Sequence, residues 1–127
     1  MSETRATLHI TSIRTVGIPV ADQEQALAFY TGTLGFEKRL DVPMGPGERW
    51  VEVAPEGAAA TLALVRKPDA NLTGIDTGIR LTSENVQADH AGLQASGVDV
   101  DAEVIPIPVP MFAFRDPDGN RLVIVGE

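Results

Sequence analysis

The sequence of 127 residues contains no cysteine. This absence excludes disulfide bonds, and it excludes a thiolate as a nucleophile or a metal ligand. Basic residues are also few, since ten lysines and arginines stand against eighteen aspartates and glutamates, for a net charge of −8. An acidic surface disfavours the phosphates of nucleic acid, so we expect no nucleic-acid partner. The negative charge weakly favours a cationic ligand, or it serves only to keep the protein in solution.

Long apolar runs are absent as well. No stretch approaches the roughly 20 apolar residues that a membrane helix needs. The first ten residues lack the basic region and apolar segment of a signal peptide. We therefore expect no membrane partner and a cytoplasmic location. Residues 1–7 are predicted to be disordered, while the length and the 43% hydrophobic content fit one globular domain over residues 1–127.

The sequence pattern predicts the same order of elements twice. A strand precedes a helix that begins after the N-cap Asp22 and ends at Gly35, and three strands follow. After residues 67–74, a linker with proline and glycine, the order starts again with a helix that ends at Gly97. The predicted strands span residues 10–20, 36–42, 49–54, 61–65, 76–82, 98–104, 111–115 and 122–125. The sequence DPDGN at 116–120 predicts the last turn.

A constant offset in residue number, which we call the repeat offset, aligns the two halves of the chain. It places Gly35 on Gly97 and the N-cap Asp22 on Glu84. The repeat predicts an α+β fold of two tandem βαβββ modules, the first at residues 8–66 and the second at residues 75–127. Any two βα units of similar length align in this way, but here the order of all five elements recurs, which favours a structural repeat.

Four stretches carry a resemblance to a known superfamily. They are IRTVGIPVAD at 13–22, ALAFYTGTLGF at 26–36, LQASGVDV at 93–100 and FRDPDGNRLVIV at 114–125. Together they resemble the vicinal-oxygen-chelate superfamily, which includes glyoxalase I, bleomycin-resistance proteins and extradiol dioxygenases. The resemblance implies that the two modules form an open, cup-shaped sheet with helices on its convex side. It also implies a ligand on the concave face and a homodimer in which cups are completed across modules.

The resemblance also implies where a metal would bind in this chain. Metal-using relatives carry His, Glu or Gln on the first and last strands of each module, and the matching positions here are Thr15, Thr61, Thr77 and Val123. A neutral threonine hydroxyl is a poor ligand for a divalent transition metal, and valine offers no donor atom. We therefore expect neither a metal nor another cofactor.

Alternation along the third strand places Glu48, Trp50 and Glu52 on one face. We predict that this face lines the cup, with Trp50 stacked on a small-molecule ligand and the carboxylates facing a cationic or hydroxyl-bearing group. Phe112, which the repeat offset places on Trp50, and Phe114 are predicted as further aromatic walls. The alternatives are a solvated strand face for the glutamates and core or interface packing for the phenylalanines.

Three hypotheses for the function remain at this point. The leading one is a metal-free protein that binds a small molecule, such as an antibiotic or another cationic or aromatic ligand. The second is a lyase, isomerase or dioxygenase of this superfamily, which without a metal needs an acid–base pair such as Glu48 or Glu52 with Tyr30 or Arg115. The third is a scaffold with a vestigial cup. A buried carboxylate with a raised pKa in the cup favours the enzyme, and a cup filled by its own side chains favours the scaffold.

Overall fold

The computed structural model describes residues 6–127, so most of the segment predicted to be disordered lies outside the described residues. The described elements follow the predicted order. The helices are α1 (Gln23–Leu27), continued by a π-helix (Ala28–Thr33), a short 3₁₀ helix (Ala70–Leu72) and α2 (Val86–Ala95). The strands are β1 (Thr15–Val20), β2 (Glu37–Gly45), β3 (Glu48–Ala54), β4 (Thr61–Arg66), β5 (Asp76–Ser83), β6 (Asp99–Val100), β7 (Met111–Arg115) and β8 (Arg121–Gly126).

The strands form two four-stranded sheets of the same topology, in the orders β1-β4-β3-β2 and β5-β8-β7-β6. In each sheet the first strand runs parallel to the last, and the other pairs are antiparallel. The predicted α+β fold of two βαβββ modules is confirmed. Because β1 and β5 each pair with one strand only, each sheet has an open edge that belongs to the first strand of its module.

The local signals at the helix ends are mostly confirmed. The side chain of Asp22 accepts a hydrogen bond from the backbone N–H of Gln25 at 3.1 Å, and Gly35 and Gly97 adopt positive φ after the helices. The cap of α2 is Asn85, whose side chain accepts from Ala88 N at 3.0 Å. The prediction of a cap at position 84 is therefore wrong by one residue, because asparagine is a better N-cap than glutamate.

One hydrophobic core lies between the helices and both sheets. It joins residues of α1, the π-helix and α2 to alternate residues of the strands. Alternate apolar residues of three strands in this core are fully or almost fully buried, and they are Val51, Val53, Leu62, Leu64, Leu122 and Ile124. We call the opposite surface of each sheet its open face.

A buried polar network joins the two modules within this core. Asp116 Oδ2 accepts hydrogen bonds from Tyr30 Oη at 2.9 Å and from Asn120 Nδ2 at 3.0 Å. Asn120 Nδ2 also donates to the carbonyl of Pro19 in β1 at 2.7 Å, and Asn120 Oδ1 accepts from Gly74 N at 3.0 Å. The DPDGN sequence forms the predicted turn, and it also ties the first strand, the first helix and the linker to the last hairpin.

The segment before β1 differs from the prediction. A strand was expected from residue 10, but regular pairing begins at Thr15, and Leu8, Ile10 and Ile13 are exposed at 66%, 82% and 73%. The β-branched residues typical of a strand are present, but the described residues offer this segment no partner strand. No helix in the described range is both long and apolar enough to cross a bilayer.

Candidate functional site

The open face of the first sheet is organised around the carboxylate of Glu52. Its side chain accepts hydrogen bonds from Thr61 Oγ1 at 2.7 Å and from Trp50 Nε1 at 2.7 Å, and Arg14 lies at 3.4 Å. Glu52 is only 3% exposed. The hydrogen bonds from Thr61 and then Trp50 lower the pKa of Glu52, and they outweigh the opposing effect of burial. Glu52 is therefore held ionised at neutral pH, which is unlike a carboxylic acid poised to donate a proton.

The threonines at the positions of metal ligands are engaged in hydrogen bonds of their own. The hydroxyls of Thr15 and Thr61 lie 2.8 Å apart, and Thr15 also donates to the carbonyl of Thr61 at 3.2 Å. In the second module Thr77 donates to the carbonyl of Arg121 at 2.7 Å and accepts from Ile79 N at 3.1 Å. These hydroxyls stabilise the pairing of the first and last strands in each module.

The structure corrects the position that corresponds to Thr61 in the second module. Thr61 and Arg121 are the first residues of β4 and β8. The backbone carbonyl of each accepts a hydrogen bond from a threonine side chain of the neighbouring parallel strand. The repeat offset at this strand is thus two residues shorter than predicted, and Arg121 rather than Val123 matches Thr61. Val123 lies two residues further along the same open face and is 6% exposed.

The donor set at these positions does not fit a metal. Hydroxyls that are already hydrogen-bonded, a guanidinium and an aliphatic side chain offer no imidazole, carboxylate or thiolate to a transition metal. Among residues 6–127 there is also no group of three or more His, Asp or Glu side chains arranged to hold a metal ion. We therefore derive no chemistry through a metal at this site.

A cleft of about 700 Å³ lies between the two modules. We call it the inter-module cleft. It brings together Thr61 and Thr77, two of the predicted positions, and its charged residues are Glu56 and Arg80. The remaining walls are mainly apolar and come from Ile13, Val16, Pro55, Ala58, Ala60, Leu62, Ile79 and Leu81. The cleft forms where the open edges of the two sheets approach the turn between β3 and β4.

A smaller groove of about 200 Å³ lies against Trp50. Met44, Glu48 and Arg66 line this Trp50 groove. Glu48 is exposed there, whereas Glu52 is covered, so the two carboxylates predicted to act together have different environments. The indole N–H of Trp50 is already bonded to Glu52, and this leaves its ring as the surface offered to a ligand.

Phe112 and Phe114 are core residues, which corrects their predicted place in the cup. They are 1% and 0% exposed, and their rings contact His90 of α2 and Phe29 of the π-helix. The physical reason is a register change of one residue at β7. Because side chains alternate along a strand, a repeat offset one residue shorter than predicted moves each side chain to the other face. Met111 is then the counterpart of Trp50.

The residue that sequence reasoning missed is Arg80. Arg80 lies in β5 and pairs with Val123 of β8. Its neighbours Ile79 and Leu81 pack against the core, so the alternation of side chains along the strand places Arg80 on the open face. The alternation of apolar and polar residues over 79–82 is the sequence signal that could have placed Arg80 on this face.

The acid–base partners proposed for an enzyme are separated from the cleft, because Tyr30 donates a hydrogen bond to Asp116 in the core and Arg115 donates one to Asp101 at 3.0 Å.

Comparison with known proteins supports one family. The profile described as Glyoxalase/Bleomycin resistance protein/Dioxygenase superfamily matches residues 9–124. The uncharacterized protein YetH of Bacillus subtilis (strain 168) is 34% identical over 119 residues, which are 91% of this chain and 98% of that protein. Nearly the full length of this relative is therefore matched.

Solved structures extend the match to three dimensions. TnmS3, an antibiotic binding protein from Streptomyces sp. CB03234, is 36% identical with a TM-score of 0.81, over 94% of this chain and 98% of TnmS3. A member of the glyoxalase/bleomycin resistance protein/dioxygenase superfamily from Sphaerobacter thermophilus DSM 20745 is 37% identical with a TM-score of 0.82, over 94% and 100% of the two chains.

Proposed function

The chain belongs to the glyoxalase/bleomycin resistance protein/dioxygenase superfamily, and we propose that it binds an aromatic small molecule in the inter-module cleft without a metal. The observation that carries this proposal is the cleft itself. Its volume of about 700 Å³ lies within the range of about 300–1,000 Å³ that is typical of small-molecule sites. Mostly apolar walls with a few polar groups are also typical of such sites.

The choice of this cleft rests on what it contains. It is lined by both modules, and two positions that hold metal ligands in relatives, Thr61 and Thr77, border it. A third cavity of about 410 Å³ lies beside α2 and contains none of the predicted site residues. The Trp50 groove, at about 200 Å³, suits one ring or one end of a larger ligand. We therefore assign the main body of the ligand to the inter-module cleft.

Binding is favoured over acid–base catalysis by the state of Glu52. Catalysis without a metal requires a proton donor or acceptor poised near neutral pH. The pKa of Glu52 is instead lowered by its bonds to Thr61 and Trp50. Tyr30 and Arg115 are held by other carboxylates, away from the cleft. The open cleft also disfavours the scaffold hypothesis, which needs a site filled by its own side chains.

The class of ligand is drawn from the relatives and from the walls of the cleft. TnmS3, at 36% identity, is an antibiotic binding protein, and this supports an antibiotic as the ligand of the present chain. The apolar walls suit an aromatic body. The cationic ligand favoured by the net charge of −8 is not carried forward, because the cleft itself holds one basic and one acidic side chain, Arg80 and Glu56.

We also propose that the protein acts as a homodimer. Leu8, Ile10 and Ile13 are exposed apolar residues in the segment before β1, whose outer edge is unpaired among the described residues. A second copy is the partner most directly able to cover the segment and both open edges, since a two-fold axis repeats every contact. The cytoplasmic location and the absence of nucleic-acid and membrane partners remain predictions.

The experiment is a titration of EDTA-treated protein with 2-naphthamide, a neutral aromatic probe, by isothermal titration calorimetry. Ala60 lines the cleft, and Ala60→Trp should fill it and weaken binding at least about tenfold. Ala59→Trp is the matched control, since this exposed neighbour does not line the cleft. Equal affinity in both variants, or no binding by the parent protein, would contradict the proposal.

A further inference from the structure

The arginines of the described chain fall into two groups. Five of them form an ion pair with a carboxylate, and these are Arg14, Arg39, Arg49, Arg115 and Arg121. Arg66 and Arg80 form no such pair with any carboxylate of residues 6–127. Each of these two lines a cavity, Arg66 the Trp50 groove and Arg80 the inter-module cleft. In a chain with a large excess of acidic residues, Arg66 and Arg80 thus keep their guanidinium groups free of carboxylate partners at two cavities.

Arg80 is an exposed residue that lines the larger cavity. It lies within β5 opposite Val123, and one of its N–H groups donates to the carbonyl of Gly78 at 3.1 Å. That bond orients the guanidinium and leaves its other N–H groups without an acceptor among the described residues. The planar fork of an arginine matches the two oxygens of a carboxylate. Arg80 therefore presents a preformed donor surface to an anionic group.

Thr82 adds a second donor on the same face. It follows Arg80 by two residues, so both side chains point to the open face of β5, about 7 Å apart at their Cα atoms. Within the described structure the Thr82 hydroxyl forms no hydrogen bond, unlike those of Thr15, Thr61 and Thr77. Both residues line the inter-module cleft, which otherwise has mainly apolar walls.

We infer that the ligand of the inter-module cleft is an aromatic carboxylic acid, with its carboxylate on Arg80 and Thr82 and its ring against the apolar walls. This inference rests on the proposed function and reverses the charge that the composition favours. Glu56, the acidic residue of the cleft, lies in the turn between β3 and β4 and forms no ion pair with Arg80. It thus leaves the guanidinium available.

The test compares three probes of one shape and different charge, 2-naphthoate, 2-naphthamide and 2-naphthylmethylammonium, by calorimetry at low and high salt. We expect 2-naphthoate to bind about five- to tenfold more tightly than 2-naphthamide, because a charge-assisted bidentate hydrogen bond is stronger than a neutral one. The cation should bind most weakly. The preference for the acid should shrink as salt screens the exposed guanidinium.

Two variants assign the effect to this site. Arg80→Gln should abolish the preference for 2-naphthoate, with a larger loss of affinity for 2-naphthoate than for 2-naphthamide, and Thr82→Val should reduce the preference in part. Lys67→Gln is the matched control, because it removes one positive charge from an exposed residue that lines neither cavity, and it should leave the preference intact.

Each contrary outcome has a distinct meaning. Equal binding of acid and amide, or tightest binding of the cation, would overturn the inference and leave the proposed function standing. No binding of any probe would contradict both. If Arg80→Gln lost affinity for 2-naphthoate and 2-naphthamide equally, Arg80 would shape the cleft without binding the carboxylate. That result would also overturn the inference.

Discussion

Tyr30 donates a hydrogen bond of 2.9 Å to Asp116, across the core and between the two modules. Both residues are buried, and burial, reinforced by the neighbouring Asp116 carboxylate, raises the pKa of Tyr30 well above its ordinary value. The phenol therefore stays protonated and serves as a structural donor. Two of the stretches that carry the family resemblance, ALAFYTGTLGF at 26–36 and FRDPDGNRLVIV at 114–125, supply the two partners of this contact.

Tyr30→Phe should destabilise the fold by about 1–3 kcal/mol, because it leaves a buried carboxylate oxygen with one donor fewer. Urea unfolding followed by circular dichroism measures this free energy. Asp116→Asn and the double variant complete a double-mutant cycle, in which the two losses should not add. Additive losses, or a Tyr30→Phe variant as stable as the parent protein, would mean that this contact does not hold the modules together.

Glu52 should make stability depend on acid pH. Its folded pKa is lowered by Thr61 and then Trp50, from an ordinary value of 4.5. The stabilisation is therefore fully present above pH 4.5 and is lost as the pH falls through the lower folded pKa. Glu52→Gln should cost about 1–3 kcal/mol at pH 7 and progressively less below pH 4.5.

Unfolding of both proteins between pH 7 and pH 3 checks the pH dependence. Glu48→Gln is the matched control, since Glu48 is exposed on the same face and accepts no hydrogen bond from the described residues. A difference between parent and Glu52→Gln that stays constant across this range would show that the charge of Glu52 is not what stabilises the site.

Added Ni²⁺, Zn²⁺, Mn²⁺ or Fe²⁺ should leave the melting temperature within about 1 °C of its value in EDTA. The reason is that threonine and arginine occupy the positions of the ligands, and a metal that bound only the folded state would raise the melting temperature. Elemental analysis of the purified protein gives an independent measure. Stoichiometric metal, or a shift of several degrees with one ion, would refute the metal-free site.

The protein should elute as a dimer of twice 13.5 kDa when its mass is measured by light scattering after size exclusion. Ile10→Asp with Ile13→Asp should give a monomer, because these side chains are 82% and 73% exposed and next to the open edge of β1. Ile10→Val is the conservative control and should remain dimeric. A monomeric parent protein would contradict the proposed dimer. A double variant that remains dimeric would show that the interface does not involve Ile10 and Ile13.

The sequence predicted the fold through signals that are local and redundant. The N-cap Asp22, the glycines that end the helices and the alternating core residues of β3, β4 and β8 all have physical causes that act within a few residues. What it could not predict was the exact repeat offset, which is shorter than expected by one residue at β7 and by two residues at β8. The shortening arises after Gly97, in the connection to β7 and in the turn between β7 and β8, and the residue pairing that reveals it is visible only in the fold.

The site was predicted less completely for the same reason. Trp50, Glu52, Thr15 and Thr61 are joined by hydrogen bonds on one open face, and they come from one module, so their placement needs no offset. Residues transferred across the repeat were displaced, and Phe112 moved from the cup to the core. The role of Arg80 depends on which arginines find carboxylate partners, and such long-range pairing is visible only in the fold.

The most direct test of the binding cleft is a ¹H–¹⁵N spectrum of EDTA-treated protein during titration with 2-naphthamide. We expect the largest shifts on backbone amides that line the inter-module cleft, at Ala58, Ala60, Ile79 and Arg80, and we expect these shifts to saturate without added metal. Shifts confined to the Trp50 groove, or shifts that appear only after Ni²⁺ or Zn²⁺ is added, would contradict a metal-free binding site between the modules.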